Sequence, residues 1–347
     1  MSKVTGQPST ESRKVDHIRI NLENDVQFPR LSTGLERYRF LHQALPELSL
    51  DDIDTTTSLF GKQLSAPLLI SSMTGGTEIA QGINRNLARA AEKHSIAMGL
   101  GSQRAAIEDS ALAGSYCIRD IAPDILLFAN VGAVQLNYGY GLEQCRKAID
   151  MVSADALILH FNVLQEAVQP EGDIDFSDLL RKVESICARV SVPVIAKEVG
   201  WGFSESAVCD LAGAGVTAID VAGSGGTSWS EVEFHRAPSS FHARVARSFA
   251  DWGIPTAEAI QYARRAAPDL PIIASGGLRD GIDIAKCLAL GADVAGLASP
   301  FLKAASDSFH AVDELIQELK AQLRIAMLCT ASRNIAALQQ IELQLIA

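Results

Sequence analysis

From about residue 66 onward, short apolar runs alternate with stretches of helical periodicity. The runs cover 67–72, 96–100, 125–131, 156–161, 193–199, 218–222, 271–275 and 294–297, and each ends on glycine or polar residues. Helical spacing between and after them predicts helices over about 78–94, 143–151, 177–190, 204–211, 256–267, 281–290 and 308–325, with a shorter one near Tyr116. Continuous apolar strands of this length suit a parallel sheet buried on both faces. Strict strand–helix alternation indicates an α/β fold, and eight units favour closure into a (β/α)8 TIM barrel over an open doubly wound sheet. One domain is expected: an irregular N-terminal extension over 1–65, the barrel over 66–325 and a C-terminal tail over 326–347.

The chain has 347 residues, 48% hydrophobic and 20% charged, the balance of a globular protein. Its formal net charge of -11 argues against a nucleic-acid partner. A small basic pocket for an anion is compatible with that charge. None of the six cysteines forms a C-x-x-C pair; they read as reduced, buried thiols, which argues against zinc. The first residues lack the apolar core of a signal peptide, and no run of about 18 apolar residues suggests a membrane span. A cytoplasmic protein is expected.

Barrel enzymes place their chemistry at the C-terminal ends of the strands. Two glycine turns, Gly225-Gly226 and Gly276-Gly277, follow the sixth and seventh runs. Glycine lets backbone N–H groups approach a phosphate. A helix opening near Gly281 would add its positive end. Two such turns, with Thr227, Arg279 and Ser299 nearby, favour a phosphate site over tight turns alone. Gly213-Ala214-Gly215 resembles the start of a dinucleotide fingerprint, but it closes a helix and precedes a strand, so it reads as a helix stop.

Lys197 ends an apolar run, where a buried lysine needs a partner; it is expected to face the mouth and stabilise negative charge. His160 and Asn162 lie two apart and face one side of their strand, with Gln165 and Glu166 just beyond. Spacing alone leaves Glu166 open between a Mg²⁺ ligand and a solvated loop carboxylate. Arg104 is a candidate for binding phosphate oxygens, whereas Arg13-Lys14 alone reads as a solvated terminus. There is no nucleophile elbow and no evident acid/base pair, so a cofactor is expected to carry the proton or hydride chemistry.

Together these residues resemble the FMN-dependent, type 2 isopentenyl-diphosphate isomerase family. The matching stretches are Arg13-Lys14-x-Asp16-His17, Ser72-Met73-Thr74-Gly75-Gly76, Gly101-Ser102-Gln103-Arg104, Asn130-Val131-Gly132, His160-x-Asn162-x-x-Gln165-Glu166, Lys197-Glu198-Val199-Gly200, Gly225-Gly226-Thr227-Ser228-Trp229 and Gly276-Gly277-Leu278-Arg279. The first and the fifth are the most specific; the others recur in flavin barrels generally.

The resemblance implies interconversion of isopentenyl and dimethylallyl diphosphate by 1,3-allylic proton transfer, in isoprenoid biosynthesis. It implies FMN against Ser72, Met73, Thr74, Ser102, Asn130, Lys197 and Thr227, with the FMN phosphate held by Gly276, Gly277, Leu278, Arg279, Ala298 and Ser299. It places the substrate diphosphate at Arg13, Lys14, Ser102, Arg104, His160 and Asn162, and Mg²⁺ on Glu166. Gln165 would bind substrate near the allylic carbons, and Gln165, His160 and Asn162 form the implied catalytic set. The flavin is active when reduced, NADPH can supply the electrons, the N-terminal segment closes as a lid, and a homo-oligomer (tetramer or octamer) is implied. Two other functions remain open: an FMN-dependent 2-hydroxyacid oxidase drawing on His235-Arg236 and His242, and a non-catalytic flavin-binding barrel.

Overall fold

The eight apolar runs become eight parallel strands: β1 (Leu68–Ile70), β2 (Ala97–Gly99), β3 (Leu127–Gly132), β4 (Ala156–Phe161), β5 (Val194–Glu198), β6 (Ala218–Asp220), β7 (Ile272–Ser275) and β8 (Val294–Leu297). Each pairs with the next, and β1 pairs with β8 to close the ring. The computed structural model describes residues 10–346, with side chains from residue 13.

Side chains alternate across a strand, so every second residue points into the barrel. One such set is Leu69, Ala97, Phe128, Ile158, Ile195, Ala218, Ile273 and Val294, all within a single buried apolar cluster. Two residues further along each strand stand Ser71, Gly99, Asn130, His160, Lys197, Asp220, Ser275 and Gly296. The barrel is therefore filled by hydrocarbon below and floored with polar groups at its mouth. A hairpin of Thr57–Leu59 and Lys62–Leu64 seals the opposite end. Its Leu59 and Leu64 join the apolar set, and the Phe60 ring meets Phe128 edge-on at 6.1 Å.

Three expectations need correction. The extension is not irregular throughout: it contains helix α1 (Thr10–Glu23), and residues 26–28 run beside the loop after β6. The helix has only four apolar residues in fourteen, Val15, Ile18, Ile20 and Leu22, so its periodicity is weak. Ile18 and Ile20 are buried by contact with the rest of the protein, which supplies what local propensity does not. The last long helix also runs further than expected, Phe309–Cys329, because Ala326 and the buried Met327 continue its apolar face. The C-terminal tail carries a short strand, Gln344–Leu345, that pairs antiparallel with Tyr38–Arg39. Finally, Cys117 and Cys209 are exposed thiols, while Cys145 and Cys287 are buried. Gly213 does end the helix Glu205–Gly213, with Gly215 at a φ of 87°.

Candidate active site

A cavity of about 820 Å³ occupies the C-terminal mouth of the barrel, a size that suits a cofactor with a substrate beside it. Ser71, Asn130, His160, Lys197, Ser275 and Gly296 form its floor. The side chains of α1 and residues 24–27 border it from above. The segment is fastened there: the Phe28 N–H donates to Gly226 O at 3.2 Å and the Ser228 N–H to Val26 O at 2.8 Å.

One end of the cavity is built from main chain. Gly276, Gly277, Leu278, Ala298 and Ser299 border it, as do Gly226 and Thr227. Among the described residues, the N–H groups of Gly276, Gly277, Leu278 and Ala298 donate to no acceptor. The glycines are needed for more than access to a ligand. A Cβ on Gly226 would lie 2.6 Å from Gly277 N, and one on Gly277 would lie 2.5 Å from Gly225 O. The loops after β6 and β7 thus pack backbone to backbone, and this contact sets where the N–H groups point. The expected role of the helix at Gly281 is corrected. Asp280 caps its first turn, accepting from the N–H groups of Ile282 and Asp283, and that end does not border the cavity. Beside these N–H groups, the positive end that borders the cavity belongs instead to helix Ser299–Asp307, which has no side-chain cap. Arg279 reaches the rim from an exposed position, paired with Asp283 at 3.2 Å.

Ser72, Met73, Thr74 and Ser102 line the side wall. The hydroxyls of Ser71 and Ser72 are buried without a partner among the described residues. The cavity therefore contains free N–H groups, free hydroxyls and a lysine at its floor. This donor set fits a ring with polar edges and a phosphate tail.

The polar string after β4 is held by its neighbours. His160 Nδ1 lies 2.7 Å from Asn130 Oδ1, while the Asn130 amide nitrogen donates to Leu100 O at 3.0 Å. Burial, with Lys197 and Lys14 nearby, holds the imidazole down at about 4. Asn162 Nδ2 donates to Glu166 Oε1 at 2.8 Å, and the Asp173 N–H donates to Glu166 Oε2 at 2.8 Å. Burial pushes the Glu166 carboxyl up, against these two donors. The Asp173 side chain accepts from Arg104 at 2.7 Å and from Gln135 at 2.9 Å. Arg104 also pairs with Glu108 at 2.8 Å. Two carboxylates thus hold the guanidinium where an anionic ligand would compete for it.

From α1, Lys14 Nζ donates to Ser102 O at 2.6 Å and to the Tyr116 hydroxyl at 2.5 Å. Burial and the neighbouring Arg13 lower Lys14 to about 7. Arg13 reaches Gln169 Oε1 at 3.4 Å. One turn on, His17 Nε2 lies 3.1 Å from Glu233 Oε1, and its ring meets Trp229 edge-on at 5.1 Å. The same Glu233 oxygen accepts from Gln169 at 2.7 Å and Gln165 at 3.3 Å, and its partner oxygen accepts from Arg236 at 2.5 Å. Burial would raise this carboxyl, but the hydrogen bonds and the Arg236 charge outweigh it and hold it near 2. Burial keeps His17 below its usual value, so a neutral ring donates to a charged carboxylate that Arg236 balances.

Lys197 Nζ is 3.1 Å from Asp220 Oδ2 and 3.1 Å from Glu198 O. Glu198 itself has another task. Its Oε2 accepts from the N–H groups of Val199, Gly200, Trp201 and Gly202 and so folds the turn after β5. Burial pushes its carboxyl up to about 7.

All the predicted site residues therefore border one cavity, Arg13 and Lys14 included. Sequence reasoning did not assign Glu233, Gln169, Tyr116 or Asp220, and gave His17 and Trp229 no role. Glu233 and Trp229 lie on helix Trp229–Arg236, inside what reads as an insertion. A Glu three residues before Arg236 on one helix face was the available signal. His235 and His242 do not border the cavity, and Arg236 is committed to Glu233 and Glu171.

The family model described as FMN-dependent dehydrogenase matches residues 8–117 and 154–345. A Nostoc protein named isopentenyl-diphosphate delta-isomerase is 56% identical over 330 residues, covering 95% of this chain and 94% of that one. Proteins of the same name from Synechococcus and Rickettsia bellii are each 52% identical, the first covering 97% of both chains and the second 96% of this chain and 97% of its own. Among solved structures, mandelate oxidase with (S)-2-phenylpropionate is similar at a TM-score of 0.65 and 19% identity, covering 99% of this chain and 92% of that one. At that identity the likeness is one of fold.

Proposed function

Since the chain belongs to the FMN-dependent dehydrogenase family, and within it to the isopentenyl-diphosphate delta-isomerases, we propose a division of labour across the mouth cavity for interconverting isopentenyl and dimethylallyl diphosphate. The reaction adds a proton at one carbon and removes one from another. Both carbons are non-polar, so the transfer needs a close, oriented group and the exclusion of water. Reduced FMN, when bound, supplies that acid/base group.

The unpartnered main-chain N–H groups at Gly276, Gly277, Leu278 and Ala298, with Ser299 and Arg279 beside them, would hold its phosphate. Ser72, Met73, Thr74, Ser102, Asn130, Lys197 and Thr227 would hold its ring and ribityl chain. Arg13, Lys14, Ser102 and Arg104 would bind the substrate diphosphate. Gln165 would lie against the allylic carbons, oriented through Glu233, with His160 and Asn162 beside it. Glu166 presents a single buried carboxylate, which suits Mg²⁺: that ion keeps most of its waters and needs one or two carboxylates beside diphosphate oxygens. Trp229, the rest of α1 and residues 24–27 would keep water out. NADPH as the electron source, a homo-oligomer and a cytoplasmic location rest on the family resemblance. Among the described residues no helix is long and apolar enough to cross a membrane.

The observation that carries this reading is that two separate groups of hydrogen-bond donors open on one cavity. The N–H cluster at Gly276 and Gly277 suits one phosphate, and Arg13, Lys14 and Arg104 suit a second anion. A 2-hydroxyacid oxidase would need a histidine base beside an arginine free to clamp a carboxylate. Neither Arg236 nor His242 borders the cavity, and His242 pairs with Ser239 on an exposed helix. The deciding experiment is an anaerobic assay of the FMN-loaded protein with isopentenyl diphosphate and Mg²⁺, with and without dithionite or NADPH. Dimethylallyl diphosphate should form only with reductant. Peroxide from a hydroxyacid without isomerisation, or FMN binding without any turnover, would sink the proposal.

A further inference from the structure

Lys197, Asp220 and Ser275 form a buried triad across three neighbouring strands. Lys197 on β5 stands in register with Asp220 on β6, which puts their side chains side by side. Lys197 Nζ lies 3.1 Å from Asp220 Oδ2, and the Ser275 hydroxyl donates to Asp220 Oδ1 at 2.5 Å. Asp220 is 1% exposed and does not border the cavity, whereas Lys197 and Ser275 do. The carboxylate therefore lies behind the ammonium as seen from the cavity.

Burying an ammonium costs several kcal/mol unless it is paired and hydrogen-bonded. The Asp220 carboxylate at 3.1 Å supplies that partner. Asp220 in turn is fixed by the Ser275 hydroxyl, so its position does not depend on Lys197 alone. A second acceptor, Glu198 O at 3.1 Å, further restrains the ammonium. The Ser275 oxygen at 3.5 Å is too far for a strong bond, which leaves Lys197 one N–H for a cavity ligand.

We infer that Asp220 is a positioning residue that holds the Lys197 ammonium aimed into the cavity, and so sets the redox poise of the bound FMN. This rests on the reading that places FMN at Lys197. A fixed positive charge at the ring favours its reduced, more negative state, because a preorganised charge in a water-poor site acts strongly. Asp220 would act only through Lys197.

The test is the midpoint potential of FMN in the holoenzyme, measured by dye equilibration at neutral pH. Asp220→Asn should move it to more negative values, towards that of Lys197→Met. In the Lys197→Met background, Asp220→Asn should produce no further shift. Asp220→Glu should restore most of the wild-type potential. If Asp220→Asn does not fold, Ser275→Ala is the second variant: loosening one carboxylate oxygen should give a smaller shift of the same sign. An unchanged or more positive potential in Asp220→Asn, or in Ser275→Ala when that variant decides, overturns the inference, as does a full additional shift in the Lys197→Met background. Failure of the wild-type protein to bind FMN at all would instead overturn the underlying site assignment.

Discussion

Asn130 Oδ1 accepts the Nδ1–H of His160 at 2.7 Å, and this one contact fixes the tautomer of a histidine at the cavity floor. The Asn130 amide cannot turn to offer its nitrogen, because that nitrogen donates to Leu100 O. His160 Nε2 is therefore a bare acceptor, and with a value near 4 the ring is neutral at physiological pH. It cannot serve the diphosphate as a cation. The ring's ¹⁵N chemical shifts should titrate near 4, with Nδ1 protonated throughout. Asn130→Asp should raise that value by at least a unit by adding a charge partner. The linkage has a definite sign. The folded value lies below the unfolded one, so below about 6.5 the unfolded chain takes up the proton first. Stability should fall as pH drops from 6.5 towards 4, by up to about 3 kcal/mol. A titration near 6.5 in the folded protein would refute this account.

Lys14 is also held away from its usual value, in a way that concerns substrate binding. It is lowered to about 7 by burial and by Arg13, so between about 7 and 10.5 the unfolded chain holds a proton that the folded one releases. Docking of α1 should therefore strengthen as pH rises through that window. Capture of an anion needs the charged form and should weaken. KM for isopentenyl diphosphate should climb above pH 7, while Lys14→Arg should flatten the climb because arginine stays charged. Tyr116→Phe removes a hydroxyl that Lys14 contacts at 2.5 Å and should raise KM more than it lowers kcat. A KM independent of pH in the wild type would count against a diphosphate contact at Lys14.

Glu233 joins four side chains, His17, Gln165, Gln169 and Arg236. Truncating it to alanine leaves Arg236 with Glu171 as its remaining carboxylate, at 3.1 Å. The stability cost should be about 2 kcal/mol, below the range for a buried charge left with no partner. Gln165 also loses the acceptor that orients its amide. kcat should fall on the order of a hundredfold, the scale of a misplaced reacting group, with KM changed less. Thermal unfolding and steady-state kinetics of Glu233→Ala together check both parts; full activity with a lowered Tm would leave Glu233 a purely structural residue.

Glu166 carries the metal prediction. Each of its oxygens already accepts one hydrogen bond, from Asn162 and from the Asp173 N–H, and each keeps a lone pair for a cation. EDTA should abolish turnover and Mg²⁺ restore it. Glu166→Gln should raise the Mg²⁺ needed for half-maximal activity by at least about tenfold, as loss of a ligating charge does. Unaltered Mg²⁺ dependence in that variant would place the ion elsewhere.

The strands were legible because each is a continuous apolar run, and their polar ends marked the mouth. The floor of the cavity falls at those ends, with Asn130, His160, Lys197 and Ser275 each two residues beyond an apolar inward position. What sequence periodicity could not carry was structure made by tertiary contact. Helix α1 shows four apolar residues in fourteen and gains its burial from the mouth it covers. Helix Trp229–Arg236 is short and mixed in character, so Glu233 read as part of an insertion. Helix Ser299–Asp307, whose positive end borders the cavity, begins two residues after β8, so no polar turn separates it from the strand to mark its start.

The glycine pair after β7 yields a prediction with an internal control. Gly277 has a φ of 75°, and Gly139, on a loop far along the chain, has a φ of 87°. Alanine is strained at both, at about 1–2 kcal/mol for the left-handed backbone. Beyond that the two sites differ. Around Gly139 a Cβ meets nothing within 4 Å. At Gly277 it would lie 2.5 Å from Gly225 O and 2.6 Å from Thr33 Cγ2, atoms that belong to the opposing loop and to the N-terminal segment. Relief requires the two loops to part, which should add about 1–3 kcal/mol of overpacking and displace the N–H groups that face the cavity. Gly277→Ala should therefore weaken FMN binding by at least about tenfold, which corresponds to 1.4 kcal/mol, whereas Gly139→Ala should lower stability alone. Fluorescence titration of FMN into the two apoproteins, alongside their melting temperatures, separates these effects. Equal FMN affinity in both variants would mean that the loop contact does not shape the phosphate site.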